Sequence, residues 1–236
     1  MNTKTIHGVD LIIPNDAVVM RYKAEGRFED ESIDLWRSLL SKDKLAIDVG
    51  AYTGLYSIIA AQAGAPVLAI EPNPSAVDRL HENAAINGVD IDVNQIALSD
   101  RPGPINLHLK GNRPLTSAAS TVSTHGVTPF EVQSTTLDDL NLDLPVGVIK
   151  IDAERAEHII LRGASNLIER DRPVIITECL DGYTTLKLVE VLQSHSYVWC
   201  ALEPCMIAWR PAGDDEFSGS NQRLQKPKRK KRGRKK

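Results

Sequence analysis

The sequence predicts an α/β fold: a doubly wound, mostly parallel sheet of the seven-stranded type, closed by an antiparallel hairpin and preceded by an N-terminal β/α extension. Three observations carry this prediction. Apolar runs of strand length alternate with stretches of helical periodicity through most of the chain. Four of those runs end in an acid, at Asp48, Glu71, Asp152 and Glu178, as expected where strands deliver polar groups to one edge of a sheet. The last two runs, around Tyr197 to Leu202 and Met206 to Arg210, are joined through Glu203-Pro204-Cys205 like a hairpin.

The elements follow in order. Residues 9 to 22 alternate around Leu11, Ile12, Ile13, Val18, Val19 and Met20, with Pro14-Asn15-Asp16 as a turn, and predict a β-hairpin. Asp30-Glu31-Ser32 introduces an amphipathic helix through Ile33, Leu35, Trp36, Leu39 and Leu40. The first central strand, Leu45 to Val49, leads into the loop from Gly50 to Gly54 and an apolar helix. A second strand, Val67 to Ile70, ends at Glu71, and a helix opened by Pro72-Asn73-Pro74-Ser75 stops at the glycine signal Asn87-Gly88. The third strand is read as Ile91 to Leu98, with Ile105 to Leu109 as an added antiparallel strand.

Residues 110 to 129 are rich in Ser, Thr and Gly and lack periodicity, which predicts a long loop at the ligand-binding edge with a role in substrate contact. The fourth central strand, Val146 to Ile151, ends at Asp152 and continues through Ala153-Glu154-Arg155 into a helix. The fifth runs from Val174 to Glu178, and a helix near Thr184 to Leu192 precedes the closing hairpin.

At 236 residues and 42% hydrophobic content, one sizeable core is affordable and little remains for another. The expected organisation is an extension over residues 1–43, one α/β domain over 44–213 and a disordered tail over 214–236. Nine of the eleven residues from Lys226 to Lys236 are basic, so the rest of the chain carries −12 rather than the overall −3. Such a tail suits contact with nucleic acid or an anionic membrane surface through charge alone. No apolar run approaches the roughly 18 residues that cross a bilayer, and no charged start precedes an apolar core, so a cytoplasmic location is the expectation. Cys179, Cys200 and Cys205 are odd in number and lack paired spacing, which reads as reduced structural thiols.

Chemistry concentrates at two strand tips. Gly50 and Gly54 let the backbone turn sharply, and the helix that follows aims free N–H groups at the loop. Glu71 comes 21 residues after Gly50, the distance at which an acid on the neighbouring strand accepts ribose hydroxyls. The third glycine of a dinucleotide loop is missing, and Asp48 would repel a pyrophosphate. An adenosine ligand with an ammonium group fits better, which favours S-adenosylmethionine over NAD.

The chain also resembles the FkbM family of S-adenosylmethionine-dependent methyltransferases, of the class I Rossmann-like fold, over roughly residues 44 to 180. The residues that carry the resemblance are Ile47-Asp48-Val49-Gly50-Ala51-Tyr52-Thr53-Gly54-Leu55-Tyr56-Ser57, Ile70-Glu71-Pro72-Asn73-Pro74, Ala97-Leu98-Ser99-Asp100, Thr136-Leu137-Asp138-Asp139-Leu140, Ile149-Lys150-Ile151-Asp152-Ala153-Glu154, Glu157 with Leu161-Arg162-Gly163-Ala164, and Arg172 to Glu178. The resemblance implies that Asp48, Gly50 and Gly54 hold the methionine part of S-adenosyl-L-methionine, Glu71 its ribose, and the region from Ala97 to Asp100 its adenine. Ala51, Tyr52, Thr53 and Asn73 are further expected cofactor-binding residues. Family members typically methylate hydroxyl oxygens of sugars, glycans and natural products, which implies a small-molecule or glycan acceptor. This chain departs from the family at Tyr52 and Thr53, and at Arg155, where glycine is usual.

Oxygen methylation needs a group that takes the acceptor proton. Asp152 and Glu154 are the candidates, with Lys150 tuning the carboxylate or orienting the acceptor, and His125 in the loop is a second choice. Three further readings stay open: an RNA methyltransferase anchored by the basic tail, a nucleoside-binding module without turnover, and a Mg²⁺ site at Asp152, Glu154 and Glu178.

Overall fold

The computed structural model describes residues 2–109, 119–120 and 129–213. The expected loop contacts at 110–118 and 121–128, His125 and the basic tail lie outside the described residues. Among those described, no helix is long and apolar enough to cross a membrane.

The chain opens with β1 (Thr3–Ile6) and β2 (Val9–Ile12), an antiparallel pair. His7 and Gly8 turn between them with φ of 49° and 81°, the two positive values a tight hairpin turn demands. The hairpin therefore sits one strand earlier than the sequence pattern suggested. Residues expected to form its second strand are helix α1 (Ala17–Glu25). Asp16 explains the difference: its side chain accepts the Val19 N–H at 3.0 Å as an N-cap, and Gly26 closes the other end in the left-handed conformation. Helix α2 (Asp30–Leu39) follows where expected.

The central sheet contains β3 (Leu45–Val49), β4 (Val67–Ile70), β5 (Asp92–Asn94), β10 (Val146–Ile151), β11 (Val174–Glu178), β12 (Tyr197–Ala201) and β13 (Met206–Pro211). They lie in the order β12-β13-β11-β10-β3-β4-β5. Neighbours from β11 to β5 are parallel, and the closing pair is antiparallel. From β3 the chain winds outward through β4 to β5, then returns to β10 and winds the other way. The switch falls between β3 and β10, the place where open α/β sheets form a ligand crevice.

The expected third strand is divided. Residues 92–94 pair with β4, but Ile96 N–H turns back onto the Asn94 carbonyl at 2.9 Å, and β6 (Ala97–Leu98) joins a second sheet. That sheet adds β7 (Gly103–Leu109), β8 (Ala119–Ser120) and β9 (Pro129–Thr135), in the order β6-β9-β7-β8. The added antiparallel strand thus belongs to a separate layer rather than to the parallel sheet.

Helices α3 (Leu55–Gln62), α4 (Pro74–Ile86), α5 (Glu157–Arg162), α6 (Ser165–Asp171) and α7 (Gly182–Ser194) complete the layers. The single helix expected after β10 is two, because Gly163 is pressed onto the Ser99 carbonyl, 2.3 Å from where a Cβ would stand. One face of the sheet packs against α1, α2, α3 and the N-terminal hairpin, with Leu11, Val19, Ile33 and Trp36 in the same core as Ala46 and Ile58. The other face packs against α5, α6 and α7 through Ile149, Ile160, Leu167 and Leu188. Trp36 donates its indole N–H to the Tyr56 carbonyl at 3.1 Å, which ties α2 to α3.

Candidate active site

The loop after β3 is held from within the protein. The N–H groups of Gly50 and Ala51 both donate to the Ile70 carbonyl, at 2.9 and 3.2 Å, and Gly54 N–H donates to Ala51 at 2.8 Å. Gly50, Tyr52 and Gly54 all take positive φ. A Cβ on Gly50 would lie 1.9 Å from the Asp152 carbonyl oxygen, and one on Gly54 would lie 2.8 Å from the Leu80 side chain. A side chain at either glycine would run into neighbouring protein, and the backbone of Gly50 also lines the cavity described below.

Asp48 lies beneath this loop. One carboxylate oxygen accepts the Ser57 N–H at 3.1 Å and its hydroxyl at 2.7 Å, while the other is buried without a hydrogen-bond partner. Burial pushes its pKa up. Asp48 does not reach the cavity wall, and neither does Gly54.

Glu71 joins two loops. It accepts the Tyr52 N–H and the Asn73 N–H, each at 2.9 Å, and Asn73 in turn caps α4 by accepting from Ser75 N–H. Burial raises the Glu71 carboxyl to about 7, although both N–H bonds favour its charged form. The Tyr52 hydroxyl accepts the Ala17 N–H at 3.1 Å, which fastens α1 to the same loop.

Across the switch point stands a charged cluster. Lys150 Nζ is 3.2 Å from Asp152 and 4.7 Å from the centre of the Tyr56 ring. Burial pulls the lysine pKa down, but the carboxylates of Asp152, Asp48 and Glu29 more than offset it, so the group is firmly cationic. Tyr56 donates its hydroxyl to Glu29 at 2.9 Å, and burial raises the Glu29 pKa. Glu178 is raised to about 9, by burial first and then by the negative charges of Asp152, Glu154 and Glu157. Glu157 accepts the N–H groups of Ala153 and Arg155 at 3.0 and 3.1 Å, stabilising a turn in which Glu154 and Arg155 both have positive φ. Arg155 reaches outward to Asp181 at 2.8 Å.

These groups surround a cavity of about 250 Å³. Its walls include Gly50, Ala51, Tyr52, Thr53 and Glu71 on the β3 side, Lys150, Asp152, Glu154 and Glu178 on the other, and Arg21, Phe28 and Glu29 above. An apolar slot of about 40 Å³ adjoins it through the shared residues Gly50 and Pro72, and Ile70, Ile96, Ala97 and Leu98 help to line it. Asp100 is exposed and faces a separate groove with Ser99 and Arg101. The structure therefore brings together Gly50 to Thr53, Glu71, Lys150, Asp152 and Glu154, adds Ala97 through the slot, and leaves Asp100 outside. Among the described residues, no group of three His, Cys, Asp or Glu side chains is placed to hold a metal ion. Sequence reasoning missed Arg21, Phe28 and Glu29, which carry no motif, and read Tyr56 as part of the loop-helix motif without a place at the cavity. The one trace is a polar run, Arg27-Phe28-Glu29-Asp30, with an aromatic residue inside it.

A seven-stranded sheet of this order, with its cavity at the switch point, defines a class I Rossmann-like methyltransferase fold. A model of the methyltransferase FkbM domain matches residues 48–206, and the chain belongs to the FkbM methyltransferase family. The structure is similar to an FkbM methyltransferase from Methylobacillus flagellatus, with a TM-score of 0.53 and 18% identity over 74% of this chain and 47% of that one. It is also similar to a tRNA (uracil-54, C5)-methyltransferase from Pyrococcus abyssi in complex with S-adenosyl-L-homocysteine, with a TM-score of 0.50 and 18% identity over 89% of this chain and 44% of that one. A ribosomal protein L11 methyltransferase from Symbiobacterium thermophilum is 43% identical over 61 residues, 25% of this chain and 20% of that protein. The structural likenesses are likenesses of fold, and the chain spans less than half the length of each of these three relatives.

Proposed function

We propose that this chain is an S-adenosyl-L-methionine-dependent methyltransferase that methylates a hydroxyl of a sugar, glycan or natural product. The observation that carries the reading is the placement of Glu71 and the 50–54 loop between an apolar slot and a carboxylate-lined cavity. The residues fit the cofactor. The apolar slot opens beside the cavity, the Glu71 oxygens keep lone pairs for ribose hydroxyls, and an acidic cavity suits a sulfonium. When bound, the cofactor supplies an electrophilic methyl group.

The protein's part is to hold and deprotonate the acceptor. Asp152 or Glu154 takes the hydroxyl proton, and Lys150 fixes Asp152 through their ion pair. Asp48 acts one layer down: it caps α3 through Ser57 and so sets the loop that faces the methionine end. In this reading residues 44–213 form the catalytic domain, residues 1–43 roof its cavity, and residues 214–236 are a basic tail. The cytoplasm is the assigned location.

Calorimetry with S-adenosylmethionine, S-adenosylhomocysteine and NAD tests the assignment. Binding of both sulfur ligands is expected, and tight NAD binding without them would overturn it. A second reading, an RNA methyltransferase, draws on the nine cations between Lys226 and Lys236. Removing residues 224–236 separates the two, since joint loss of salt-sensitive RNA binding and activity favours the RNA enzyme.

A further inference from the structure

A second depression lies beyond the apolar slot. It is a groove of about 560 Å³ between β7 and α5, and its polar lining includes Asp100, Arg101, Asn106, His108, His158 and Arg162. The groove meets the slot at Leu98 and Ala156 and shares no residue with the carboxylate-lined cavity.

Backbone packing brings its two arginines to one place. Arg101 stands in the turn between β6 and β7, where the Ser134 hydroxyl donates to the carbonyls of Arg101 and Gly103, at 3.2 and 2.8 Å. Arg162 is the last residue of α5. At the next position, a Cβ on Gly163 would stand 2.3 Å from the Ser99 carbonyl oxygen and 3.2 Å from the Asp100 Cα. The end of α5 therefore lies against the chain that leads into Arg101, and Asp138 N–H holds the junction by donating to the Gly163 carbonyl at 2.9 Å.

The charges in the groove are not balanced from within. Arg21, Arg79, Arg155 and Arg170 each face a carboxylate, whereas Arg101 and Arg162 are exposed and make no ion pair among the described residues. Asp100 is the one carboxylate in the lining, and it accepts the Ser99 hydroxyl at 3.4 Å. Burial, and then the positive charges of Arg162 and Lys187, lower the pKa of His158, so this imidazole is neutral near pH 7. Two guanidiniums thus face one carboxylate, in an otherwise acidic body. A guanidinium offers several N–H groups in a fixed plane, which matches the paired oxygens of a phosphate better than any neutral ligand.

We infer that Arg101 and Arg162 form a phosphate-binding groove, separate from the carboxylate-lined cavity, for the phosphate ester of a sugar phosphate or of a nucleic-acid strand. Arginines from two different elements suit an oxyanion that bridges them, and the groove recognises it whatever reaction the cavity performs.

The test uses the full chain without cofactor. NMR follows its histidine ring C–H signals, with His158 identified by its loss in His158→Asn. Inorganic phosphate should raise the His158 pKa, because an anion on Arg162 offsets the charge that lowers it. In calorimetry, glucose 6-phosphate should bind at least tenfold more tightly than glucose, and Arg101→Gln and Arg162→Gln should each weaken it several-fold. A short oligouridylate distinguishes the sources: if it binds more tightly than glucose 6-phosphate and both variants weaken it, the groove takes a nucleic-acid strand, and the reverse order assigns it to a sugar phosphate. Arg27 is exposed and outside the groove, so Arg27→Gln should leave binding unchanged. An unmoved His158 pKa, phosphate binding unaffected by both groove variants, or an equal loss in Arg27→Gln overturns the inference. Binding of S-adenosylhomocysteine is measured separately and decides the methyltransferase reading alone.

Discussion

The carbonyl oxygen of Asp152 stands 1.9 Å from where a Cβ would sit on Gly50. The tips of β3 and β10 therefore meet backbone to backbone, and Asp152 N–H donates to the Val49 carbonyl at 3.0 Å just below. Only glycine lets the loop after β3 and the tip of β10 share this corner.

Gly50→Ala should then cost about 1–3 kcal/mol in backbone strain and roughly 1–3 kcal/mol more in overpacking. Gly88 also has positive φ, but a Cβ there meets nothing within 4 Å. Gly88→Ala should cost only the strain, about 1–2 kcal/mol. Urea unfolding of both variants checks the pair, and equal losses would show that the contact with Asp152 carries no weight.

Buried carboxyls predict a pH dependence. Glu71 and Glu157 are raised from 4.5 to about 7, and Glu178 to about 9. The folded chain holds these protons more tightly than the unfolded one, so their contribution is fullest below pH 4.5 and is lost as pH rises to 7, or to 9 for Glu178. Glu157→Gln keeps an oxygen for the Ala153 and Arg155 N–H groups but cannot ionise. Its thermal stability should fall less than wild type between pH 5 and 8, and parallel curves would count against the raised carboxyl.

Asp152→Asn and Glu154→Gln separate binding from chemistry. Whichever residue is the base, its loss should lower kcat by about 10²–10⁴-fold, with S-adenosylhomocysteine affinity nearly intact. Release of that product is the assay. Undiminished turnover in both variants would remove the two carboxylates from the mechanism.

Asn83 joins the N-terminal hairpin to the loop. Its side chain accepts the Ile12 N–H at 3.0 Å and donates to the Thr53 carbonyl at 2.9 Å. Asn83→Ala leaves both backbone groups buried and unpaired, at a cost of about 1–3 kcal/mol each. Amide exchange should quicken in both segments together. Quickening in one alone would show that Asn83 does not couple them.

Much of the central sheet was legible because buried parallel strands read as short apolar runs, as from Leu45 to Val49 and from Val146 to Ile151. Helix α1 was missed because Val18, Val19 and Met20 fit either period, and only the Asp16 cap decides between them. The break at Ile96 was hidden because a strand that changes sheets keeps its apolar character on both sides. Residues 48–54 and Glu71 showed in the sequence because special backbone and fixed spacing leave a mark. Arg21, Phe28 and Glu29 left none, since they reach the cavity only through the way α1 is laid across it.

By itself the sequence determined where four of the central strands run out, and that an acid stands at or beside each of those ends. Local chemistry suffices for that, because a strand's period, a helix cap and a glycine turn are short-range matters. What only the tertiary structure decided is which tips touch. Asp48 turns inward to Ser57, Asp152 turns to Lys150, and Glu29 arrives from the far end of the chain to complete the cavity. Those pairings follow from the order in which strands lie side by side, and strand order is fixed by burial across the whole sheet rather than by any one stretch of residues.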